Sequence, residues 1–279
     1  MSSRIPPLLE PYLAFPSEAS LILLTSVLGA SSNWLVLRFL HSALIRSDVT
    51  SEGEIAHEDE RKVVLVSFMR DLNFWKENAR RLGLDLDKMG NKKRFAFVDG
   101  LSGMFLPRRN TAATTRIGEK VLVSQNLESV SSEIQDAIRE LKDSQGSGKV
   151  LMVIDQLDFL LAAGGEQVGV VEIGEMLLGL REITHATVIS VSADQPLGAI
   201  HHTPLESDHA LFLLGTAHQA DFIMSLRLLD TGTARDVSGV LRITAGDETE
   251  QNLQKRTEER ELLYLVGGDG GVKVFERGQ

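Results

Sequence analysis

Short runs of apolar residues alternate with segments of helical period along the first two-thirds of the chain. The runs are apolar at every position, which is typical of strands that are buried on both faces of a parallel sheet. This pattern predicts five strands, at residues 20–27, 62–68, 95–98, 150–154 and 187–191.

The segments between these strands carry apolar residues at spacings of three and four, which predicts helices. The clearest example has Leu72, Trp75 and Ala79 on one face, with Asp71 able to cap its start and Gly83 to end it. Similar spacing predicts helices over residues 33–45, 127–141 and 168–183. The alternation of strand and helix therefore predicts an α/β fold with a doubly wound, mainly parallel sheet.

The pattern changes after residue 192, where four further strands are joined by turns that contain Gly and Asp, with no helix between them. They are predicted at residues 221–230, 239–244, 262–266 and 272–275. An antiparallel C-terminal extension of the same sheet accounts for them better than a second domain. We therefore divide the chain into an N-terminal extension, residues 1–18, and a single domain, residues 19–279.

One apolar run lies inside a predicted loop. Residues 210–214, with the sequence ALFLL, belong to the segment 193–219 that follows the fifth strand. Such a run suits either an edge strand or a surface that is covered by a partner subunit. Of the two, we favour the covered surface.

Composition limits the kinds of site that the chain can contain. The sequence has no cysteine, which excludes disulfide bonds, thiolate metal sites and cysteine nucleophiles. Its seven histidines lack the spacing of known metal motifs, so we expect neither a metal nor another cofactor. Because the formal net charge is -10, any contact with nucleic acid needs a local basic patch or a partner.

The longest apolar stretch, residues 19–45, is interrupted by a loop of small residues and contains Arg38 and His41. A membrane span needs roughly 20 uninterrupted apolar residues, so this stretch predicts a strand, a loop and a helix. Residues 1–18 contain several prolines and two glutamates, unlike the basic start of a secretory signal. We expect no membrane contact and a location in the cytosol or the nucleus.

The loop after the first strand is where a P-loop protein of this fold class binds phosphate. The consensus GxxxxGK[ST] supplies backbone N–H groups, a lysine for the phosphates and a hydroxyl for magnesium. Here the loop contains Gly29, Ser31 and Ser32 but no lysine, and Trp34 stands where the helix begins. The two serines are able to donate to an anion at a helix N-terminus, but serines are also ordinary N-cap residues. Both roles remain open.

The strand VLMVID ends at Asp155 and has the form of a Walker B strand, whose carboxylate holds magnesium in active ATPases. Asp155 or Asp158 also suits the role of a helix cap, so the motif alone does not decide between the two. The nearby sequence GSGK, residues 146–149, resembles the end of a P-loop. It precedes a strand instead of following one, so we interpret it as a turn.

A local reversal of charge marks residues 88–120, which carry eight basic and two acidic side chains. Part of this segment lies in the loop after the third strand, on the edge of the sheet where ligands bind. Its basic side chains are candidates for contact with nucleic-acid phosphates: Arg108, Arg109, Arg116 and Lys120. The alternative is a solvated loop that is balanced by acidic neighbours.

Three stretches of the sequence resemble the family of Elongator subunit 6: residues 62–86, 234–246 and 262–278. The likeness extends over most of the chain from about residue 20. It implies a RecA-like fold that lacks a functional P-loop. In such a fold, the segment 193–219 with His201, His202 and His209 takes the position of the nucleic-acid-binding loop.

The resemblance also implies partners. Elongator subunits 4, 5 and 6 form a hexameric ring with two copies of each, and the ring associates with the catalytic subunits 1, 2 and 3. The complex takes part in carboxymethyl-type modification of wobble uridine in tRNA, and the ring is credited with tRNA binding and with ATP-dependent release of tRNA. No catalytic residue is carried over, because the matching motifs are structural strands and a helix.

Two functional hypotheses follow. The first is a non-catalytic ring subunit that binds its neighbours and contributes to a tRNA surface. The second is a RecA-type ATPase with an unorthodox nucleotide site at a subunit interface, formed by Gly29, Ser31, Ser32 and Asp155 and completed by an arginine from a neighbour. We favour the first, because loss of the P-loop lysine removes a main electrostatic stabiliser of phosphoryl transfer.

Overall fold

The computed structural model describes residues 5–45, 60–106, 118–144, 148–164, 168–195, 203–230, 232, 234–246 and 257–278. Within these ranges ten strands form one sheet. They are Leu21–Ser26 (β1), Arg61–Ser67 (β2), Phe95–Asp99 (β3), Glu119–Val121 (β4), Lys149–Asp155 (β5), Ala186–Ser192 (β6), Phe222–Arg227 (β7), Gly239–Ala245 (β8), Arg260–Val266 (β9) and Val272–Phe275 (β10).

The sheet has the order β10-β9-β8-β7-β1-β6-β5-β2-β3-β4. The seven strands from β7 to β4 in this order are parallel, and β8, β9 and β10 are antiparallel to their neighbours. The predicted fold class, a mainly parallel sheet with an antiparallel C-terminal extension, is confirmed. Strand β4 was not predicted, since the sequence indicated only a loop at these residues.

Helices cover both faces of the sheet, as the doubly wound pattern predicts. They are Asn33–Ile45 (α1), Leu72–Arg81 (α2), Leu86–Asn91 (α3), Ser102–Phe105 (α4), Leu127–Asp143 (α5), Phe159–Ala163 (α6), Val170–Glu182 (α7) and Pro204–Gln219 (α8). One apolar core lies between the sheet and α1, α2 and α3, and a second lies between the sheet and α5, α6, α7 and α8. None of the helices in the described ranges is long and apolar enough to cross a membrane.

Helix starts follow the local sequence. Asp71 caps α2 as predicted, since its carboxylate accepts the N–H of Phe74 at 2.9 Å. At the start of α8, Thr203 and Glu206 form a capping box in which each side chain accepts a backbone N–H of the other residue. The run 210–214, for which the sequence suggested an edge strand or a covered surface, is therefore part of a helix.

Helix α1 is buried on all sides, because every residue between its ends is buried. The antiparallel extension contributes to this burial. Arg38 donates to the carbonyl of Gly270 at 3.2 Å, and the ring of Trp34 lies 5.2 Å from that of Tyr264. Burial lowers the pKa of Arg38 to about 10.

The segment before β1 packs against the same core. Leu9 and Leu13 are buried in it, and the hydroxyl of Tyr12 donates to the carbonyl of Glu258 at 2.7 Å. The segment before β1 therefore contacts the C-terminal part of the sheet. The division between an extension and a domain at residues 18 and 19 stays a prediction.

Candidate functional site

Five parallel strands of the central sheet end at one edge, which we call the carboxyl edge. It is defined by their last residues, Ser26, Ser67, Asp99, Asp155 and Ser192. Ligands of open α/β sheets bind outside this edge, in the crevice between the loops that leave the strands. The candidate site residues of β1 and β5 reach the same edge, with β6 between them.

Asp155 lies at the centre of this edge and is fully buried. Its two carboxylate oxygens accept hydrogen bonds from serines on the two flanking strands, Ser67 at 2.8 Å and Ser190 at 3.2 Å. Each serine hydroxyl in turn accepts a backbone N–H, from Arg70 and Gln156 respectively, at 3.0 Å. The carboxylate is therefore held by a symmetric pair of hydroxyls that connect it to the backbone.

Burial raises the pKa of Asp155 to about 6. The hydrogen bonds from Ser67 and Ser190, together with the nearby charge of Arg70, favour the ionised form and oppose this effect. The group is consequently an ionised but desolvated carboxylate at neutral pH. It does not cap a helix, which was one of the roles considered for it.

The loop after β1 closes as a tight turn. The N–H of Ala30 donates to the carbonyl of Val27 at 2.9 Å, and Gly29 adopts a φ of +92°, a conformation that side chains other than glycine rarely take. The N–H of Leu28 donates to the carboxylate of Asp194 at 2.8 Å. Two of the backbone N–H groups of this loop are thus bonded within the chain.

The two serines of the loop differ in exposure. Ser31 is exposed, and its hydroxyl accepts the N–H of Asn33 at 3.2 Å, at the start of α1. Ser32 is buried, and its carbonyl accepts the N–H groups of Leu35 and Val36 in the first turn of the same helix. Ser31 therefore has a local structural role in the start of α1, of the kind expected for an ordinary serine there.

A second buried carboxylate lies beside the first. Asp158 occupies the N-cap position of α6, but its side chain makes no capping bond. Instead, one oxygen accepts the N–H of Ser192 at 3.2 Å and lies 3.2 Å from Nε2 of His209, which is also buried. This contact attaches α8 to the carboxyl edge. The sequence marks Asp158 and His209 separately, but their positions 51 residues apart do not show that they form a pair.

The basic candidates are only partly described. Arg108, Arg109 and Arg116 lie outside the described residues. Lys120 is on β4, the outermost parallel strand, and its ammonium lies 3.5 Å from the carboxylate of Asp136 on α5.

The basic segment 88–120 and the GSGK sequence also place residues at the opposite edge of the sheet, where the parallel strands begin. Arg94 is buried there, and it donates to the carbonyl of Leu44 near the end of α1 at 2.9 Å. From the GSGK sequence, Gly148 directly precedes β5. A Cβ at this glycine would lie 2.6 Å from the side chain of Lys62 and 2.6 Å from the carbonyl of Glu60. Its role is therefore to allow close packing.

The described part of the chain contains no group of three or more His, Asp or Glu side chains that is arranged to hold a metal ion. The carboxylates of the carboxyl edge are each engaged by donors of the chain itself. The edge therefore presents carboxylates that already accept hydrogen bonds from within the chain.

Comparisons with known proteins agree on family and fold. The family model described as Elongation complex protein 6 matches residues 58–266. An Elongator complex protein 6 homolog from Schizosaccharomyces pombe is 25% identical over 219 residues, which cover 77% of this chain and 79% of that protein.

The crystal structure of a KaiC-like protein from the archaeon Pyrococcus horikoshii superimposes with a TM-score of 0.59. The match covers 98% of this chain and 97% of that one. At 17% identity this likeness concerns the fold alone, which is RecA-like.

Proposed function

The chain belongs to the Elongation complex protein 6 family, which implies a role in the Elongator complex, and we propose that it is a non-catalytic subunit there. In this proposal, two copies join two copies each of subunits 4 and 5 in a hexameric ring. The ring supports tRNA binding and the carboxymethyl-type modification of wobble uridine by subunits 1, 2 and 3.

The observation that supports a non-catalytic role is the hydrogen bond from the backbone N–H of Leu28 to the carboxylate of Asp194. A P-loop holds phosphate with free backbone N–H groups and a lysine. In this chain, the carboxylate of Asp194 accepts the N–H of Leu28 at 2.8 Å, and the loop has no lysine. A phosphate at this loop would have to displace one anion and approach others, which is electrostatically unfavourable.

The environment of Asp155 supports the same proposal. A magnesium-binding carboxylate needs lone pairs that are open to the ion or to its waters. Both oxygens of Asp155 instead accept serine hydroxyls in a fully buried position. We infer that the carboxylate connects three strands and has a structural role.

The exposure of Leu28 favours a contact with a neighbouring subunit. Its side chain is 87% exposed at the tip of the first loop, and the side chain of Leu228 lies next to Gly29. An apolar residue that is this exposed gains stability when a partner covers it. The loop that grips phosphate in a P-loop protein would here contact protein.

The alternative is a RecA-type ATPase with an unorthodox nucleotide site at a subunit interface. The position of Asp155, at the end of the strand where the fold has its magnesium-binding carboxylate, is the observation that favours it. Ser31, which is exposed near the start of α1, would then contact a phosphate.

The tRNA contacts and the location are further parts of the proposal. Arg108, Arg109, Arg116 and Lys120 are proposed to contact tRNA phosphates, since they lie in the most basic segment of an acidic chain. The proposed location is the cytoplasm and the nucleus.

One experiment tests the role in modification and separates the two candidates. Cells without this gene are complemented with the wild-type chain or with Asp155→Asn, and their tRNA nucleosides are measured by mass spectrometry. We expect the carboxymethyl-derived wobble uridines to be lost without the gene and to be restored equally by both chains. Unchanged nucleosides in the deletion would refute the role, and failure of an assembled Asp155→Asn chain alone would favour the ATPase.

A further inference from the structure

Helices α7 and α8 lie side by side on the sheet face opposite α1. Each connects two parallel strands, β5 to β6 and β6 to β7, so the two helices run in the same direction. Near their ends, the guanidinium of Arg181 donates to the side-chain carbonyl of Gln219 at 3.0 Å. The outer sides of both helices face away from the sheet and have no described element over them.

Four large apolar side chains lie on this outer side. They are Val171 and Leu178 on α7, which are 67% and 54% exposed, and Leu211 and Leu214 on α8, which are 53% and 49% exposed. The spacings of seven and three residues place each pair on one side of its helix. Single exposed leucines are common on protein surfaces, but a set that spans two neighbouring helices is typical of an interaction site.

The heights of these residues along the two helices also match. Counted back from the contact between Arg181 and Gln219, at 1.5 Å per residue, Leu178 lies roughly 5 Å and Leu214 roughly 8 Å away. Val171 and Leu211 lie roughly 15 Å and 12 Å away by the same measure. The four side chains therefore lie at two similar heights along the two neighbouring helices.

Glycines complete this surface. A Cβ added to Gly174 of α7 or to Gly215 of α8 would meet no atom within 4 Å, so neither glycine is required by packing within the chain. Glycine in the interior of a helix is less stable than alanine, which makes these residues unfavourable for the isolated chain. Their lack of a side chain allows the backbone of another helix to approach closely. We define the α7–α8 face as Val171, Gly174, Leu178, Leu211, Leu214 and Gly215.

The charges beside the α7–α8 face indicate which kind of protein binds there. Glu175 and Glu182 are exposed on the same side of α7, at the edge of the apolar residues, and the whole chain has a net charge of -10. Arg181, near the end of α7, is directed toward Gln219 and the carbonyl of Ala19. A second copy of this chain would bring acidic residues against acidic residues, which is unfavourable.

We propose that the α7–α8 face binds a different protein, one that presents an apolar helical surface bordered by lysine or arginine. This inference rests on the proposed function, in which the partner is another subunit of the ring. It adds to that function the surface through which the chain is held.

The test uses the absence of cysteine from the chain. The full-length variants Leu211→Cys and Val123→Cys are each labelled with a maleimide, alone and after co-assembly with Elongator subunits 4 and 5. Val123 is 56% exposed, close to the 53% of Leu211, but it lies after β4 at the far edge of the sheet. We expect assembly to slow labelling of Leu211→Cys at least tenfold and to leave Val123→Cys unchanged.

The outcomes separate the two proposals. If the wild-type chain does not assemble with the two subunits, the proposed function fails. If it assembles and both cysteines are labelled at equal rates, the α7–α8 face is not the interface, while the proposed function stands. If labelling of Leu211→Cys slows with the concentration of the chain alone, the occupant is a second copy and the inference is wrong.

A charge reversal tests the chemistry of the partner. Glu182→Lys is matched with Glu140→Lys, since both residues are exposed in the last turn of a helix, where lysine favours the helix dipole. We expect Glu182→Lys to weaken assembly at least fivefold and Glu140→Lys to have no effect. Equal affinities of the two variants would overturn the basic border assigned to the partner.

Discussion

The two edges of the central sheet carry opposite charges. At the edge where the parallel strands begin, two buried cations donate to the last carbonyls of helices, Lys62 to Leu141 of α5 at 2.8 Å and Arg94 to Leu44 of α1 at 2.9 Å. At the carboxyl edge, carboxylates accept backbone N–H groups or serine hydroxyls; they belong to Asp99, Asp155, Asp158 and Asp194.

Helix polarity explains the difference. The helices run against the strands, so their C-terminal carbonyls lie at the first edge and their N-terminal N–H groups lie at the second. A nucleotide-binding protein leaves part of the second set free for phosphate. This chain supplies its own anions there, and both edges are neutralised internally. The fold is therefore kept while its ligand edge is closed by side chains.

The largest expected effect is at the first edge. Lys62→Met keeps the length of the side chain but removes the ammonium that donates to the buried carbonyls of Leu141 and Ser144. The carbonyl of Leu141 keeps only the hydroxyl of Ser144 as a donor. We expect the free energy of unfolding to fall by about 3 kcal/mol, since an unsatisfied buried acceptor costs about 1–3 kcal/mol. Urea unfolding measures this loss. The control is Lys92→Met, at an exposed position after α3; equal losses in both variants would show that the capping contact contributes nothing.

The next effect is at the carboxyl edge and depends on pH. The folded pKa of Asp155 is raised from 3.8 to about 6, so its contribution to stability is fully present below pH 4 and is lost as the pH rises through 6. Asp155→Asn does not titrate and retains an amide that is able to bond to both serines. Relative to the variant, we expect the wild type to lose about 2.5 kcal/mol between pH 4 and pH 7, at about 1.4 kcal/mol per pKa unit, because the unfolded carboxyl is already partly ionised at pH 4.

Unfolding of both proteins by urea across this pH range gives the difference directly. A difference that stays constant from pH 4 to pH 7 would mean that the carboxylate is not destabilised by burial. Ser67→Ala provides a second comparison, since removal of one hydroxyl should raise the pKa of Asp155 further.

The smallest effect concerns the first loop. Asp194→Ala removes the acceptor of the N–H of Leu28, and we expect a loss of about 1 kcal/mol, typical of a capping bond. Amide exchange at Leu28 should become faster, while Asp236→Ala, at an exposed position between β7 and β8, should change neither quantity. Unchanged exchange at Leu28 in Asp194→Ala would argue against a loop that is closed by this carboxylate.

Strands β1, β2, β3, β5 and β6 were predictable because each contains a continuous apolar run of ordinary length. Helix α8 was not predicted, since the run 210–214 is apolar on every side and carries no helical period. A signal for it exists in the sequence: Thr203, Pro204 and Glu206 have the spacing of a capping box with proline in the first turn. Strand β4 was not predicted because three residues at the outer edge of a sheet are too few to show a hydrophobic pattern.

For the site, the sequence predicted the position of Asp155 but not its partners. Ser67 and Ser190 are 88 and 35 residues away along the chain, and they meet the carboxylate only because β5 lies between β2 and β6. Strand order is a tertiary property that a single sequence with apolar strands does not specify. The bond between Leu28 and Asp194 was hidden for the same reason, since 166 residues separate them.

The burial of α1 has a consequence for the order of folding. The contact of Arg38 with Gly270 and that of Tyr12 with Glu258 join residues 232 and 246 positions apart. Contacts of this kind form only after the ribosome has made almost the whole chain. During translation, the part of the first helix that Gly270 and Tyr264 cover therefore remains exposed, and any termination of synthesis before residue 257 leaves this part open to solvent.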